Sequence, residues 1–180
     1  MILIYLYIIS FSLIGCGIIV SKYLSINTNC FGIFGILGIT FIGIVSYLSS
    51  IFISHNMIFN SLILLIGLSL FLYYSILIKN FKRELLLLCA ICFITIIFVL
   101  VAKNHDDFPY YHFPYISLLT EFSHPIGIGV LNNGFRSPSS IFFISSMFYL
   151  PKSDIFLFHL TPAFIQIFTN IVFLKMIFDK

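Results

Sequence analysis

Four stretches of this chain, Met1 to Val20, Phe31 to Ser54, Met57 to Ile78 and Leu85 to Ala102, contain no charged side chain. As helices, apolar runs of about 18 residues or more are long enough to cross the ~30 Å hydrocarbon core of a bilayer. A backbone placed there must satisfy its own hydrogen bonds, which a helix does. The chain is therefore a set of membrane-spanning helices before it is anything else. A fifth run, Ile155 to Leu174, also lacks charge but is broken by His159, Gln166 and Asn170. Composition excludes the soluble alternative. With 61% hydrophobic and 8% charged residues, and a mean hydropathy of +1.15, there are too few charges to clothe a water-facing domain.

The first run has no basic residues ahead of its apolar core and no small-residue cleavage site, so it reads as a retained helix and not a signal peptide. The second carries Gly32, Gly35, Gly38 and Gly43, small residues that let another helix approach the backbone closely. Cys16, Cys30, Cys89 and Cys92 all fall within or beside the runs. Cys89 and Cys92 form a CxxC, but there is no second pair or histidine to complete a zinc site and no βαβ setting for a redox motif. The thiols read as packing residues.

Lys79, Lys82 and Arg83 cluster in the short connection between the third and fourth runs. Basic residues in short loops stay in the cytoplasm. Counting crossings from there puts Lys22 and the C-terminal end in the cytoplasm, and the N-terminus and the His55-Asn56 turn outside. The expected organisation is four spans over 1–102, an external loop over 103–153, and a fifth span with a cytoplasmic end over 154–180. This is an all-α polytopic bundle. The net charge of +3 reflects this distribution and implies no nucleic-acid partner, and no GxxxxGK[ST] run suggests direct use of ATP.

Loops displayed by a rigid scaffold are where chemistry concentrates. This one opens with Asp106 and Asp107 directly after the fourth span, followed by Tyr110, Tyr111, His112 and Phe113, side chains suited to a membrane interface. Pro114 can begin a helix, with Ile116, Leu118, Leu119 and Phe122 forming a short amphipathic segment along the bilayer. Gly127, Gly129, Gly134 and the Asn132-Asn133 pair demand turns. Ser137 and Pro138 then read as the N-cap and first residue of a helix over Ser139 to Leu150, too short to span and closed by Pro151. In the fifth span His159, Pro162, Gln166 and Asn170 recur at three- and four-residue steps as one polar stripe. Such a stripe faces other helices or a hydrated cavity.

Taken in order, an acidic residue after a span, Tyr-Tyr-His, an acidic helix, a G-x-G…L-N-N-G-F-R stretch, S-P-S-S and a short aromatic helix resemble the LIC-type family of large polytopic bacterial membrane proteins. That family is in turn similar to the superfamily-C glycosyltransferases, in which an acidic residue or pair in the first large external loop precedes membrane-surface helices. The resemblance lies mainly in residues 103–160. The four preceding spans match in number and hydrophobicity. It implies transfer of a sugar from a polyprenyl-phosphate donor to an acceptor outside the cytoplasm, at a bacterial inner membrane.

Within that resemblance Asp107 is the first candidate for the base that takes the acceptor's proton, because its spacing to Tyr111 and His112 is the part that matches, and Asp106 is the second. Arg136, His112 and His124 are candidate donors to the leaving phosphate, Arg136 first because a guanidinium pairs bidentately with phosphate oxygens. Tyr111 completes the substrate-binding set. Two adjacent aspartates could also hold a divalent metal, a minor option since no further oxygen-ligand cluster accompanies them. No other cofactor is implied.

The chain departs from the pattern in two ways. Phe108-Pro109 stands where the family often has a glycine context before Tyr-His. Superfamily-C transferases also use more than five spans, so the sequence is expected to be the N-terminal part of a longer protein, completed by further spans or a partner subunit. Other readings compete. The aspartates could be a solvated loop start, Arg136 a headgroup anchor, and the polar stripe helix-packing glue. A component of a polysaccharide transporter or flippase, or a non-enzymatic membrane subunit, is the alternative function.

Overall fold

The computed structural model describes residues 2–101, 106–123, 127–130, 132–136, 139–152 and 155–178. The chain is an all-α membrane protein, with no strand among the described residues. Helices α1 (Ile2–Tyr23), α2 (Phe31–Ser50), α3 (Met57–Ser75) and α4 (Phe81–Val101) are long and apolar enough to cross a membrane. So is α7 (Leu160–Phe178), extended at its head by a 3-10 turn over Ile155–His159. Between α4 and α7 lie a π-helical turn at Phe108–His112, α5 (Phe113–Glu121), 3-10 turns at Ile128–Val130 and Asn133–Phe135, and α6 (Ser140–Ser146).

The helix ends differ from the charge-free runs by a few residues. Helix α2 stops at Ser50 and not at Ser54, because the Ser49 and Ser50 hydroxyls bond back to the carbonyls of Ser46 and Tyr47, and Ile53 N–H folds onto Ser49 O. Such back-bonding competes with the helical ladder. At its start α4 reaches back through charged residues to Phe81, which is possible because the Glu84 carboxylate is buried and paired. The expected N-cap at Ser137 and the residue after it lie outside the described residues. The cap of α6 is Ser139, whose hydroxyl accepts from Ile141 N–H, and the helix ends at Ser146 and not at Leu150.

Two compact units compose the chain. The first takes 1–42, 63–102 and 162–180. Helix α1 is buried through its middle, from Ser12 to Ile18, and its serines are correspondingly bonded: Ser12 Oγ donates to Leu64 O at 2.5 Å, and Ser10 contacts Cys92 Sγ at 3.9 Å. Gly17 and Gly38 show why glycines occupy these helices. A Cβ on Gly17 would fall onto the Phe34 carbonyl, and one on Gly38 onto the Leu13 carbonyl, so α1 and α2 touch backbone to backbone. Gly35 likewise receives the ring of Phe168 from α7. At the basic end of this unit Phe31, Phe71 and Phe81 meet with centroids 5.7–6.0 Å apart, and the Lys22 ammonium lies 3.5 Å over the Tyr74 ring. The four cysteines are free thiols, and Cys92 is fully buried.

The second unit takes 43–62 and 103–161. Its core is the cluster Tyr115, Ile116, Leu119, Ile128, Phe135, Phe142, Phe143 and Phe158, so the long segment after α4 folds on an apolar centre of its own. Burial of this kind stabilises by roughly 25 cal/mol per Å² of apolar surface, which explains how a segment rich in turns holds one structure.

Candidate functional site

Asp107 ends the turn that leads into Phe108–His112, and two prolines set the geometry there. Pro109 and Pro114 lack N–H groups, and a proline ring clashes with the carbonyl four residues back. The turn widens accordingly. Phe113 N–H bonds Phe108 O, five residues back, and this closes a π-helical turn, a form that recurs at functional sites. The widening leaves Tyr111 beneath Asp107. Its hydroxyl donates to Asp107 Oδ2 at 3.1 Å, while the backbone N–H groups of Tyr110 and Tyr111 both reach Asp107 O at 3.2 Å. The carboxylate is half-buried and held in one orientation. The bond to Asp107 raises the Tyr111 pKa above the ordinary phenol value, since the neutral hydroxyl is the form that donates.

Asp106 is exposed in the same turn. His112 is half-buried, edge-on to Tyr111 at 4.4 Å and 4.9 Å from Phe142. Phe108 is buried, with its ring 3.9 Å from His159. His159 thereby joins the site's floor, where the spacing along the fifth run had aligned it with a polar stripe of α7. Arg136 is exposed, and its Nε points at Gly129 O from 3.4 Å. Gly134, two residues earlier, packs on Tyr111: a Cβ built there would lie 3.0 Å from Tyr111 Cβ. Asp107, Tyr111, His112 and the turn that carries Arg136 are thus joined through Tyr111. His124 lies outside the described residues. Among the described residues, no group of three or more His, Cys, Asp or Glu side chains could hold a metal ion.

Helix α5 starts at Phe113, one residue ahead of the Pro114 that the sequence suggests, and its buried face is Tyr115, Ile116, Leu119 and Thr120. Phe122 falls past the helix end with an extended backbone and is exposed, so it adds nothing to that face. Tyr115 sits among Phe135, Phe142 and Phe143 with centroids 5.3–6.0 Å away, and burial pushes its hydroxyl up to about 12.

A second polar constellation in this unit was not legible as such. His55 is fully buried. Its Nδ1 lies 2.6 Å from Ser146 Oγ and its Nε2 3.0 Å from Ser49 Oγ. Ser146 Oγ donates to Phe143 O at 2.7 Å, so Nδ1 carries the proton in its contact with Ser146. His55 N–H bonds Leu119 O at 2.8 Å, and Asn60 Nδ2 donates to the carbonyls of His55, Ser146 and Tyr149 at 2.8–3.0 Å. This clamp fixes α5 and α6, the scaffold of the site, to the turn between α2 and α3. A lone Asn in an apolar run was the only available signal, since polar side chains at membrane depth seek partners. The partners, some 86 residues away, could not be read.

Two predictions follow from this geometry. Gly134→Ala pushes Tyr111 away from Asp107, and is expected to lower any activity that depends on the carboxylate about tenfold, since misplacements below 1 Å already cost rate. Unchanged activity with the variant folded would separate Tyr111 from the function. The other concerns pH. Burial lowers the His55 pKa from 6.5 to about 4. The unfolded chain takes up a proton near pH 6.5 and the folded chain does not, so stability is full above that value and falls as pH drops towards 4. At about 1.4 kcal/mol per unit, the loss amounts to about 3 kcal/mol. Denaturant titrations at pH 7.5 and 4.5 should show it, and His55→Asn should flatten the difference.

A family model described as Domain of unknown function (DUF8201) matches residues 1–180, and the chain belongs to that family. No curated protein and no solved structure matches the chain.

Proposed function

We propose that this member of the DUF8201 family is the donor-side part of a membrane-embedded glycosyltransferase of the superfamily-C kind, moving a sugar from a polyprenyl phosphate to an acceptor outside the cytoplasm. The carrying observation is Asp107: a half-buried carboxylate that follows the fourth span closely in sequence, oriented by the Tyr111 hydroxyl. A lipid-linked donor keeps its tail in the bilayer and its phosphate at the surface, so its reacting carbon waits at this level. In the proposed step the acceptor oxygen attacks the anomeric carbon and its proton passes to Asp107. The bond to the phosphate oxygen breaks, and the polyprenyl phosphate leaves with the electron pair. Arg136 neutralises that developing charge, and His112 offers a further donor. In this reading the chain resides in a bacterial inner membrane, with 103–153 outside and the Lys79–Arg83 turn inside.

One observation favours a second reading, a non-enzymatic subunit or transporter component. Pro162, Gln166 and Asn170 are exposed on α7 within a candidate span, and amides at that depth call for a partner helix or water. A glycan profile of cells carrying Asp107→Asn in the intact gene, beside cells carrying Gln166→Leu with Asn170→Leu, separates the two. Loss of the glycan with the first variant alone supports the transferase. Loss with the second alone supports the subunit.

A further inference from the structure

Helix α7 buries one face and leaves the opposite one bare. Phe164, Ile167, Phe168 and Ile171 are fully buried. Gln166, Asn170, Phe173 and Ile177, set at steps of four, three and four residues, are exposed. That alternation is the seam of a helix that packs along a second helix. The span runs from Leu157 to Phe178, so Gln166 and Asn170 lie close to its middle, in the hydrocarbon. Their side-chain amides find no hydrogen-bond partner among the described residues, and lipid tails offer none.

The chemistry of that face points to its occupant. An amide carries both donors and an acceptor, so it is complementary to another copy of itself. Copies of a membrane protein share one orientation in the bilayer. A two-fold axis along the membrane normal therefore brings α7 beside α7 of a second copy, with each residue at the depth of its counterpart. Gln166 then meets the second copy's Gln166, and Asn170 its Asn170, so both amides are satisfied at once, whereas an apolar helix would leave both unpaired. We propose that this face joins the chain to a second copy through a parallel α7–α7 seam, in which Gln166 and Asn170 set the register and Phe173 and Ile177 supply apolar contact. A polar side chain at a seam position fixes register between paired helices in the same way. The inference is independent of the transferase reading, since it concerns association and not the chemistry at Asp107.

The test places the full chain in phosphatidylcholine vesicles, half of the copies labelled with a donor fluorophore and half with an acceptor, and reads energy transfer as lipid is added. Transfer should fall along a dimer dissociation curve. Gln166→Leu with Asn170→Leu should raise the dissociation constant about tenfold, the worth of two interhelical hydrogen bonds. That variant removes no bond within the chain, so its thermal midpoint should match the wild type. Phe173→Cys should cross-link between copies under copper–phenanthroline oxidation, whereas Leu65→Cys, at an exposed position of α3, should not. If the double variant unfolds, this comparison of cysteines decides alone. Energy transfer no higher than that of randomly mixed monomers overturns the inference. A membrane-impermeant maleimide then tells what covers the face, labelling Gln166→Cys where water does and sparing it where another chain's helix does. A folded double variant that dimerises at wild-type strength overturns the inference too, as does cross-linking at Phe173→Cys no stronger than at Leu65→Cys.

Discussion

If the chain acts in sugar transfer as proposed, Asp107→Asn is expected to lower it by about 10²–10⁴-fold, the usual worth of a positioned general base, while leaving the folded protein intact. The amide nearly matches the carboxylate in shape and its oxygen can still accept from Tyr111, so the π-helical turn, closed by the backbone bond from Phe113 N–H to Phe108 O, persists. Basicity alone is lost. Two controls give the result its meaning. Asp106→Asn changes an exposed carboxylate in the same turn and should cost far less, and Tyr111→Phe should have an intermediate effect, because it releases the orientation of Asp107 without removing the base. The measurement is transfer from a polyprenyl-phosphate sugar by membranes containing the intact gene product. If Asp106→Asn and Asp107→Asn together left transfer unchanged, the carboxylates would be no more than a solvated loop start and the transferase reading would fall.

The spans were legible because one physical quantity, the cost of charge in hydrocarbon, marks them directly. Helices α1 to α4 therefore lie where the charge-free runs predict. Their ends were not, since Ile51 to Ile53 are as apolar as the helix before them. What stops α2 is hydroxyl bonding by Ser49 and Ser50, invisible to hydropathy. The glycines of the second run announced close helix contacts; Gly32, Gly35 and Gly38 make them, while Gly43 meets only the end of the Ile144 side chain. Within the site, Asp107 and Tyr111 could be paired because they are four residues apart. The link through Gly134 to the turn of Arg136 depends on tertiary packing. Phe108-Pro109 supplies one of the two prolines of the widened turn beside the carboxylate.

The clamp at Asn60 should matter to stability more than any other polar side chain of the second unit. Asn60→Leu is expected to cost of order 3 kcal/mol, against about 1 kcal/mol for Asn56→Ala, which removes only the cap that accepts from Phe59 N–H. Asn60 Nδ2 serves three carbonyls with two hydrogens; two of those carbonyls are buried and that of Tyr149 is half-buried. Of the three, Ser146 O and Tyr149 O belong to the end of α6 and the turn after it; Ser146 O also accepts from Tyr149 N–H at 3.2 Å, so His55 O and Tyr149 O depend most on the amide. A buried carbonyl left without its donor costs about 1–3 kcal/mol. Leucine would gain some apolar contact, but it cannot repay two such losses. Asn60 Oδ1 has no hydrogen-bond partner among the described residues, so the amide is retained here for its donors. Because the carbonyls belong to the scaffold under the site, the loss should appear locally as well as globally: limited proteolysis should cut the Asn60→Leu variant between residues 113 and 150 sooner than the wild type. Stability and cleavage equal to those of Asn56→Ala would show that α6 holds its place without the clamp, and that α5 and α6 support the site through their aromatic core alone.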